Sequence, residues 1–278
     1  MTAKALCVGI NKFAHLPQAS WLNGCVNDAD DVAAMLRKRR GFGRGSVTVL
    51  KDADATKAKV MSALTALVRD EPDVDHVVFT FSSHGTQVPD KNGDEKVDRV
   101  DEAFACYDLK QRGRDWDRKT VIVDDELKEL FEAVDKRVLV EVVLDTCHSG
   151  TGLKALDLLQ GRRPRFIPPP TPLGLKRLER RSDPKGLQDE VKKIPAANRP
   201  VLFAACKAEQ VASDAPFGDR YNGAFTYYFL KALNGRAKSR ADVVKAVNTS
   251  LAKEGFPQVP QLEAVPKAKT VPFGTRWR

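Results

Sequence analysis

The chain has 278 residues, with 46 Lys and Arg against 37 Asp and Glu for a net charge of +9, and 42% of its residues are hydrophobic. That length suits one large α/β domain or two small ones, and a 30% charged share beside ordinary apolar content excludes a disordered or low-complexity chain. No window approaches the ~18 consecutive apolar residues of a membrane span, and the first ten residues are too short in their apolar run for a secretory signal. The expected location is therefore the cytoplasm. Five Cys at 7, 25, 106, 147 and 206, with no CxxC pair, exclude a disulfide framework and a zinc site of ordinary spacing, so reduced thiols buried as small apolar residues are expected. The basic excess by default suggests a nucleic-acid or anionic-membrane partner.

In chain order, the apolar run 5–10 predicts a buried strand that ends in Gly9 and passes into a loop. Asn27-Asp28-Ala29-Asp30 opens a helix with Val32, Met35 and Leu36 on one face, stopped within 41–45 by glycines. A strand over 46–50 follows, then a helix from an N-cap at Thr56 to Arg69, with Val60, Leu64 and Leu67 on one side. The β-branched and aromatic runs 76–81 and 138–144 predict two more strands. Between them lies an acidic stretch, 90–108, and then Asp124-Asp125-Glu126, which should open a short helix burying Leu127, Leu130 and Phe131. A strand over 200–205 and helices over 224–233 and 241–253 complete the pattern. Strands alternating with helices imply an α/β fold with a mainly parallel central sheet and helices on both faces, where chemistry collects at the carboxyl ends of strands.

Residues 161–199 stand apart. They are rich in Pro, Arg and Lys with little apolar periodicity, which predicts a mobile linker rather than part of the core. The chain accordingly divides into 1–160, the linker 161–199, and 200–278, expected to form one compact domain overall. Over 154–199, twelve basic residues face five acidic ones, a net of +7 that leaves only +2 for everything else.

Two strand ends carry the chemistry. The third strand runs into Phe81-Ser82-Ser83-His84-Gly85 and the fourth into Leu144-Asp145-Thr146-Cys147-His148-Ser149-Gly150. If these strands are parallel neighbours, His84 and Cys147 meet at one edge, the arrangement of a thiol nucleophile and an imidazole base. A free thiol, with pKa near ~8.5, needs such a base to be nucleophilic at neutral pH. The backbone N–H groups of Gly85 and Cys147 can point at a developing oxyanion. His148 is nearer in sequence, but adjacent side chains diverge at a strand end, which favours His84. Taken singly, Cys147 reads as a small buried apolar residue and His84 as a core histidine; their joint placement with Gly and Ser favours catalysis.

These strand ends resemble the His and Cys motifs of the metacaspases, the caspase-like cysteine peptidases of clan CD and family C14, of prokaryotic type. Asn23-Gly24-Cys25-Val26-Asn27-Asp28-Ala29 resembles the loop and helix start after the family's first strand, and Gly93-Asp94-Glu95 through Asp101-Glu102 to Asp108 its acidic hairpin. Asp124-Asp125-Glu126-Leu127, Ala204-Ala205-Cys206 with Ser213-Asp214, Gly223-Ala224-Phe225-Thr226 and Pro257-Gln258-Val259-Pro260-Gln261-Leu262 extend the likeness over nearly the whole chain except 151–199.

The resemblance implies the caspase-hemoglobinase fold, a large-subunit-like part followed by a small-subunit-like part, and a peptidase with Cys147 as nucleophile and His84 as base. It places Ser82 and Cys25 in the substrate cleft and matches Asp28 and Asp145 to an acidic specificity pocket. Two carboxylates in a partly dry pocket select a guanidinium or ammonium group, so cleavage after Arg or Lys is expected. Read without the resemblance, Asp28 is a helix N-terminal charge and Asp145 a strand-end cap. The resemblance also implies a monomer.

Many metacaspases depend on calcium, and Asp98, Asp101, Asp124 and Asp125 supply hard oxygen ligands, although a solvated acidic hairpin explains them equally well. Asp90-Lys91-Asn92-Gly93-Asp94 is not an EF-hand, since its Gly falls at the fourth position and no Glu closes the loop. In calcium-dependent relatives an Asp also follows the catalytic Cys where this chain has Leu153-Lys154, and Asp157 is the nearest substitute. Ser83 stands where Gly is common, and Lys207 where an acidic residue is common and where a cation opposes a cation-binding pocket.

With Arg162-Arg163, Lys176-Arg177 and Arg180-Arg181, the linker suits an Arg/Lys-specific enzyme as its own substrate, and self-cleavage between about 160 and 199 is expected. Two other readings compete. One is a silent caspase-like module that binds a peptide or partner, against which stands the retention of both Cys147 and His84. The other is nucleic-acid binding through the basic linker, for which the sequence offers no aromatic stacking platform.

Overall fold

The computed structural model describes residues 2–69, 73–90, 100–147, 160–172 and 187–277. Its centre is a six-stranded sheet. Strands β1 (Ala3–Gly9), β2 (Val47–Lys51), β3 (His76–Ser82), β4 (Gly85–Pro89), β5 (Val100–Ala105), β6 (Gln111–Arg112), β7 (Asp115–Trp116), β8 (Val121–Val123), β9 (Leu139–Asp145), β10 (Arg163–Pro164), β11 (Val201–Ala204), β12 (Ser213–Phe217), β13 (Arg220–Gly223) and β14 (Gln261–Glu263) follow in chain order. The central order is β14-β11-β9-β3-β1-β2. Five of these strands are parallel, and β14 pairs antiparallel with β11 at the edge.

Helices α1 (Cys25–Arg37), α2 (Lys57–Arg69), α3 (Asp124–Glu132), α4 (Leu187–Lys193), α5 (Ala224–Leu233), α6 (Arg240–Lys253) and α7 (Pro266–Lys269) complete the chain. Successive strand side chains point to opposite faces, so β1 and β3 each feed two cores. Leu6, Val8, Val77, Phe79 and Phe81 join α2, α3 and α4 on one face. Ala5, Cys7 and Val78 join α1, α5 and α6 on the other. The α/β sandwich expected from the alternating pattern is the one observed. All five cysteines are free and buried.

Local chemistry sets the helix starts. Cys25 and Val26 N–H donate to Asn11 Oδ1 at 2.8 and 3.3 Å, so a side chain fourteen positions upstream of Cys25 caps α1. Thr56 Oγ1 accepts from Lys59 N–H at 3.4 Å at the start of α2. The Glu126 carboxylate accepts from Val123 N–H at 2.8 Å at the start of α3. Beneath the sheet, buried Glu141 joins His76 Nε2 at 2.9 Å, Arg240 Nε at 2.7 Å and Gly274 N–H at 2.8 Å, tying α6 and the C-terminal segment to β9.

The linker expectation needs correction where the chain is described. Arg163–Pro164 forms β10 and pairs with β12, and Phe166 and Ile167 enter the two cores. Leu187, Val191 and Ile194 are buried against α3 and the sheet. Their i, i+4, i+7 spacing is a helical stripe that the surrounding charge concealed. Residues 173–186, with Lys176-Arg177 and Arg180-Arg181, lie outside the described residues. No helix among the described residues is long and apolar enough to cross a membrane.

Candidate active site

The parallel register of β3 and β9 pairs Ser82 with Asp145, and that of β1 and β3 pairs Gly9 with Ser82. Three strand ends thus open together beside the point where the chain order reverses between β1 and β3. His84 follows β3 by two residues and Cys147 follows β9 by two, so the same two-residue offset carries both to one edge of the sheet.

His84 is fixed from below by its neighbours. Ser83 Oγ donates to Ala105 O at 2.8 Å, and the His84 carbonyl accepts from Ala105 N–H at 2.9 Å. Its ring packs 5.3 Å from that of Phe13, and Nε2 lies 2.8 Å from the Ser20 carbonyl oxygen. A carbonyl only accepts, so Nε2 carries the proton and the lone pair is on Nδ1. Nδ1 is buried with no hydrogen-bond partner among the described residues. Burial lowers the imidazole pKa to about 4, against the Ser20 hydrogen bond and Asp214, which raise it. Burial likewise pushes the Cys147 thiol up to about 12, with a backbone contact to Ala212 pulling the other way. Both groups are therefore neutral around pH 7. His148 lies outside the described residues.

The backbone N–H groups of Gly85 and Cys147 converge on one atom, the carbonyl oxygen of Arg165, at 2.9 and 3.3 Å. Two donors of independent strand-end loops sharing one acceptor form a pocket for a carbonyl that gains negative charge. An open cleft of about 480 Å³ runs past His84, bordered by Ser20, Trp21, Arg163, Phe166 and Tyr221.

The Arg165 guanidinium is fully buried among three carboxylates. Nη2 donates to Asp28 Oδ2 at 2.7 Å and to Asp214 Oδ1 at 3.0 Å, while Nη1 donates to the Asp145 carbonyl at 3.1 Å and lies 3.2 Å from Asp145 Oδ1. Each carboxylate is held from behind. Asp28 Oδ1 accepts from Asn222 Nδ2 and Gly223 N–H, both at 3.0 Å. Asp145 Oδ2 accepts from the Thr226 N–H at 2.9 Å and hydroxyl at 2.6 Å. Asp214 accepts from Asn23 N–H at 2.8 Å and Gly24 N–H at 3.0 Å. Burial raises the Asp28 carboxyl to about 7 against the pull of Arg165, so the cluster holds less negative charge than its three carboxylates suggest.

Small residues keep this pocket open. A Cβ on Gly223 would intrude on Asp145 Oδ2 and on the Arg165 guanidinium, and one on Gly24 would come within 2.6 Å of Asp214 Oδ1. Ser82 is buried at the end of β3. Cys25 is buried at the start of α1, and burial raises its thiol well above the ordinary range. Lys207 is exposed and is not among the partners of the guanidinium.

The sequence reading expects Asp28 and Asp145 to face a substrate's guanidinium; the structure places them against the chain's own Arg165, together with three groups that reading does not single out. Asp214 was noted only in a motif, although an Asp inside a strand with small neighbours on both sides is a signal in itself. The Ser20 carbonyl has no side-chain signature. Arg165, followed by Phe166-Ile167 within a proline-rich stretch, was counted as linker charge.

Of the expected calcium ligands, Asp101, Asp124 and Asp125 lie within the described residues and Asp98 outside them. Asp101 is held by Arg118 Nη1 at 2.7 Å, and Asp124 is buried, its carboxyl well above the usual range through burial and the nearby carboxylates of Glu102, Asp101 and Asp125. Among the described residues no group of three His, Cys, Asp or Glu side chains is placed to hold a metal ion. Asp98 and Asp157 lie outside the described residues.

Comparison with known proteins identifies the family and the fold. The family profile of the caspase domain, peptidase family C14, matches residues 2–271. Metacaspase-1A of Aspergillus fumigatus is 29% identical over 93% of this chain and 68% of its own length. Metacaspase-1 of Cryptococcus neoformans is 28% identical over 94% of this chain and 62% of its own. The chain therefore spans about two thirds of the length of these relatives. A protein of Geobacter sulfurreducens known by crystal structure aligns with a TM-score of 0.68 at 28% identity over 98% of both chains. Caspase-1 of Spodoptera frugiperda aligns with a TM-score of 0.57 over 94% of this chain and 86% of its own, and at 14% identity it shows the shared fold alone.

Proposed function

The chain belongs to the caspase-domain family, and on that premise we propose that it is a cysteine endopeptidase cleaving after Arg or Lys through Cys147 and His84. The observation that carries the specificity is the buried guanidinium held by Asp28, Asp145 and Asp214. A planar fork facing carboxylates on two sides favours Arg over Lys, whose single ammonium reaches fewer of them.

In this reading Cys147 Sγ attacks the carbonyl carbon of the residue whose side chain fills the acidic pocket. His84 Nδ1, held unprotonated by the Ser20 contact on Nε2, takes the thiol proton as the bond forms and passes it to the leaving amine. The oxyanion is received by the Gly85 and Cys147 N–H groups, and water then releases the thioester. With thiol and imidazole both neutral, attack and proton transfer are coupled rather than preceded by a stable ion pair. The same specificity makes the Arg-rich stretch 160–199 a substrate of its own enzyme.

Hydrolysis of fluorogenic peptides ending in Arg, Lys or Asp, by the chain and by Cys147→Ala, tests the reading. Cleavage after Arg and Lys that vanishes in the variant is expected; preference for Asp, or cleavage that survives the substitution, contradicts it.

A further inference from the structure

Two contacts that define the His84 imidazole come from one loop, residues 11–23, which joins the end of β1 to α1. Phe13 is buried with its ring 5.3 Å from that of His84, and the Ser20 carbonyl meets Nε2 at 2.8 Å. Between them Ala14, His15 and 17–19 are exposed, so much of the loop's position is set at its base. There Leu22 N–H donates to Asn11 O at 2.9 Å and Asn11 Nδ2 donates to Asn23 O at 3.1 Å. Asn11 closes the loop.

Asn11 is held in turn by Asp52, the residue after β2. Asp52 Oδ1 accepts from Asn11 N–H at 2.8 Å and from Lys12 N–H at 2.9 Å, just past the last rung of the β1–β2 ladder at Gly9 and Lys51. On the other side of Phe13, Ala14 N–H donates to Tyr107 O at 2.9 Å. Tyr107 N–H donates to Ala55 O at 3.0 Å, and Ala55 N–H returns to Asp52 O at 2.8 Å. Phe13 therefore sits between two held N–H groups, and both lines of hydrogen bonds lead back to Asp52. Asp52 is also the one non-glycine residue among the described residues with a positive φ, 42°. Asp enters this left-handed region more readily than most residues because its side chain can bond locally. Here the carboxylate instead reaches 41 and 40 positions upstream, to Asn11 and Lys12. Backbone strain held in place by long-range contacts points to a functional constraint.

We propose that Asp52 is a positioning residue for His84: by holding loop 11–23 it keeps Phe13 on the imidazole and the Ser20 carbonyl on Nε2, and so fixes the tautomer whose lone pair is on Nδ1. This rests on the peptidase reading above. Asp52 does not touch His84, and it acts through the loop alone. When the loop is released, Nε2 loses its acceptor and the neutral ring divides between two tautomers. The form with its proton on Nδ1 cannot take the thiol proton, so kcat falls. Asp28 and Asp145 keep Asn222, Gly223 and Thr226, none of which belongs to the loop, so KM changes less.

Asp52→Gly and Asp52→Asn, each in the full chain, test the role. Glycine accepts the left-handed backbone without strain but offers no carboxylate, and water can replace it because Lys12 is exposed and Asn11 half-buried. Asp52→Gly should unfold in urea no earlier than the unaltered chain, yet lose roughly tenfold to a hundredfold in kcat on an Arg-ended fluorogenic peptide, with KM within about threefold. Asp52→Asn, which keeps an acceptor oxygen and tolerates the same φ, should restore most of kcat. Nitrogen-15 NMR of the His84 ring, with the same substitutions placed on Cys147→Ala, should show the Nε2–H form alone with Asp52 and a mixture of both forms with Asp52→Gly. Asp52→Ser, whose hydroxyl is too short to meet both N–H groups, serves where Asp52→Gly fails to fold. An unchanged kcat or an unchanged tautomer in the folded variant overturns the inference and leaves the peptidase reading standing. A fall in kcat that Asp52→Asn does not repair, and that tracks an earlier unfolding midpoint, overturns it as well. Absence of Cys147-dependent hydrolysis by the unaltered chain overturns the peptidase reading instead, and the ring spectra then decide the positioning role by themselves.

Discussion

The Ser20 carbonyl oxygen lies 2.8 Å from His84 Nε2, on the opposite side of the ring from an Nδ1 that has no partner among the described residues. A main-chain oxygen does here what a carboxylate does in a three-residue arrangement. It selects the tautomer without adding a charge, so the imidazole keeps no counter-ion of its own. Burial lowers its pKa to about 4. The sign follows: the ring is the neutral base at every pH above about 4, so self-cleavage should hold its rate from pH 7 to roughly pH 5 and fall as pH approaches 4. NMR titration of His84 in uncut Cys147→Ala checks this. A midpoint near the ordinary ~6.5 would contradict the buried, neutral base.

Asp214 should matter as much as the two carboxylates on the first half of the chain. Removing one charge from a buried, hydrogen-bonded ion cluster costs about 2 kcal/mol or more, roughly thirtyfold. Asp145→Asn and Asp214→Asn should each lower kcat/KM for Arg peptides by at least that factor, with smaller loss for Lys peptides. Equal activity of Asp214→Asn and the unaltered enzyme on Arg peptides would remove Asp214 from the pocket.

Gly223 tests the shape of the pocket rather than its charge. The Cβ of Gly223→Ala falls where Asp145 Oδ2 and the guanidinium sit. Both self-cleavage and peptide hydrolysis should drop by roughly a hundredfold while circular dichroism stays unchanged, because a pocket that cannot seat the side chain loses the positioning of the scissile bond. Near-normal turnover of Arg peptides by a folded Gly223→Ala would show that the guanidinium binds elsewhere.

Glu141 has a different duty. Its carboxylate accepts from buried Arg240 Nε at 2.7 Å and joins that guanidinium to His76 beneath the sheet. Glu141→Ala leaves the Arg240 charge buried without its carboxylate, and a loss of about 3–5 kcal/mol in urea unfolding is expected. A loss below about 1 kcal/mol would mean that the Arg240 contacts to Ala268 and Thr275 carbonyls already satisfy it.

The parallel sheet was legible because β1, β3, β9 and β11 are largely apolar runs buried on both faces. The helices were legible because Val60-Leu64-Leu67 and Leu127-Leu130-Phe131 keep a helical stripe. The short antiparallel pieces were not. β10, β12 and β13 hold Pro, Asp, Asn and Gly, which propensity assigns to loops, and they form because β12 pairs with both β10 and β13. His84 and Cys147 stood out through their shared place after parallel strands. Arg165 did not, since a residue count treats a buried Arg and a solvated one alike, and only tertiary structure reveals the carboxylates that make its burial tolerable.

Labelling with an Arg-ended chloromethyl ketone, followed by peptide mapping of the unaltered chain and of Cys147→Ala, tests the central claim most directly. The account predicts one adduct, on Cys147, in the unaltered chain and none in Cys147→Ala. An adduct on another cysteine, or equally fast labelling by an Asp-ended reagent, would contradict it.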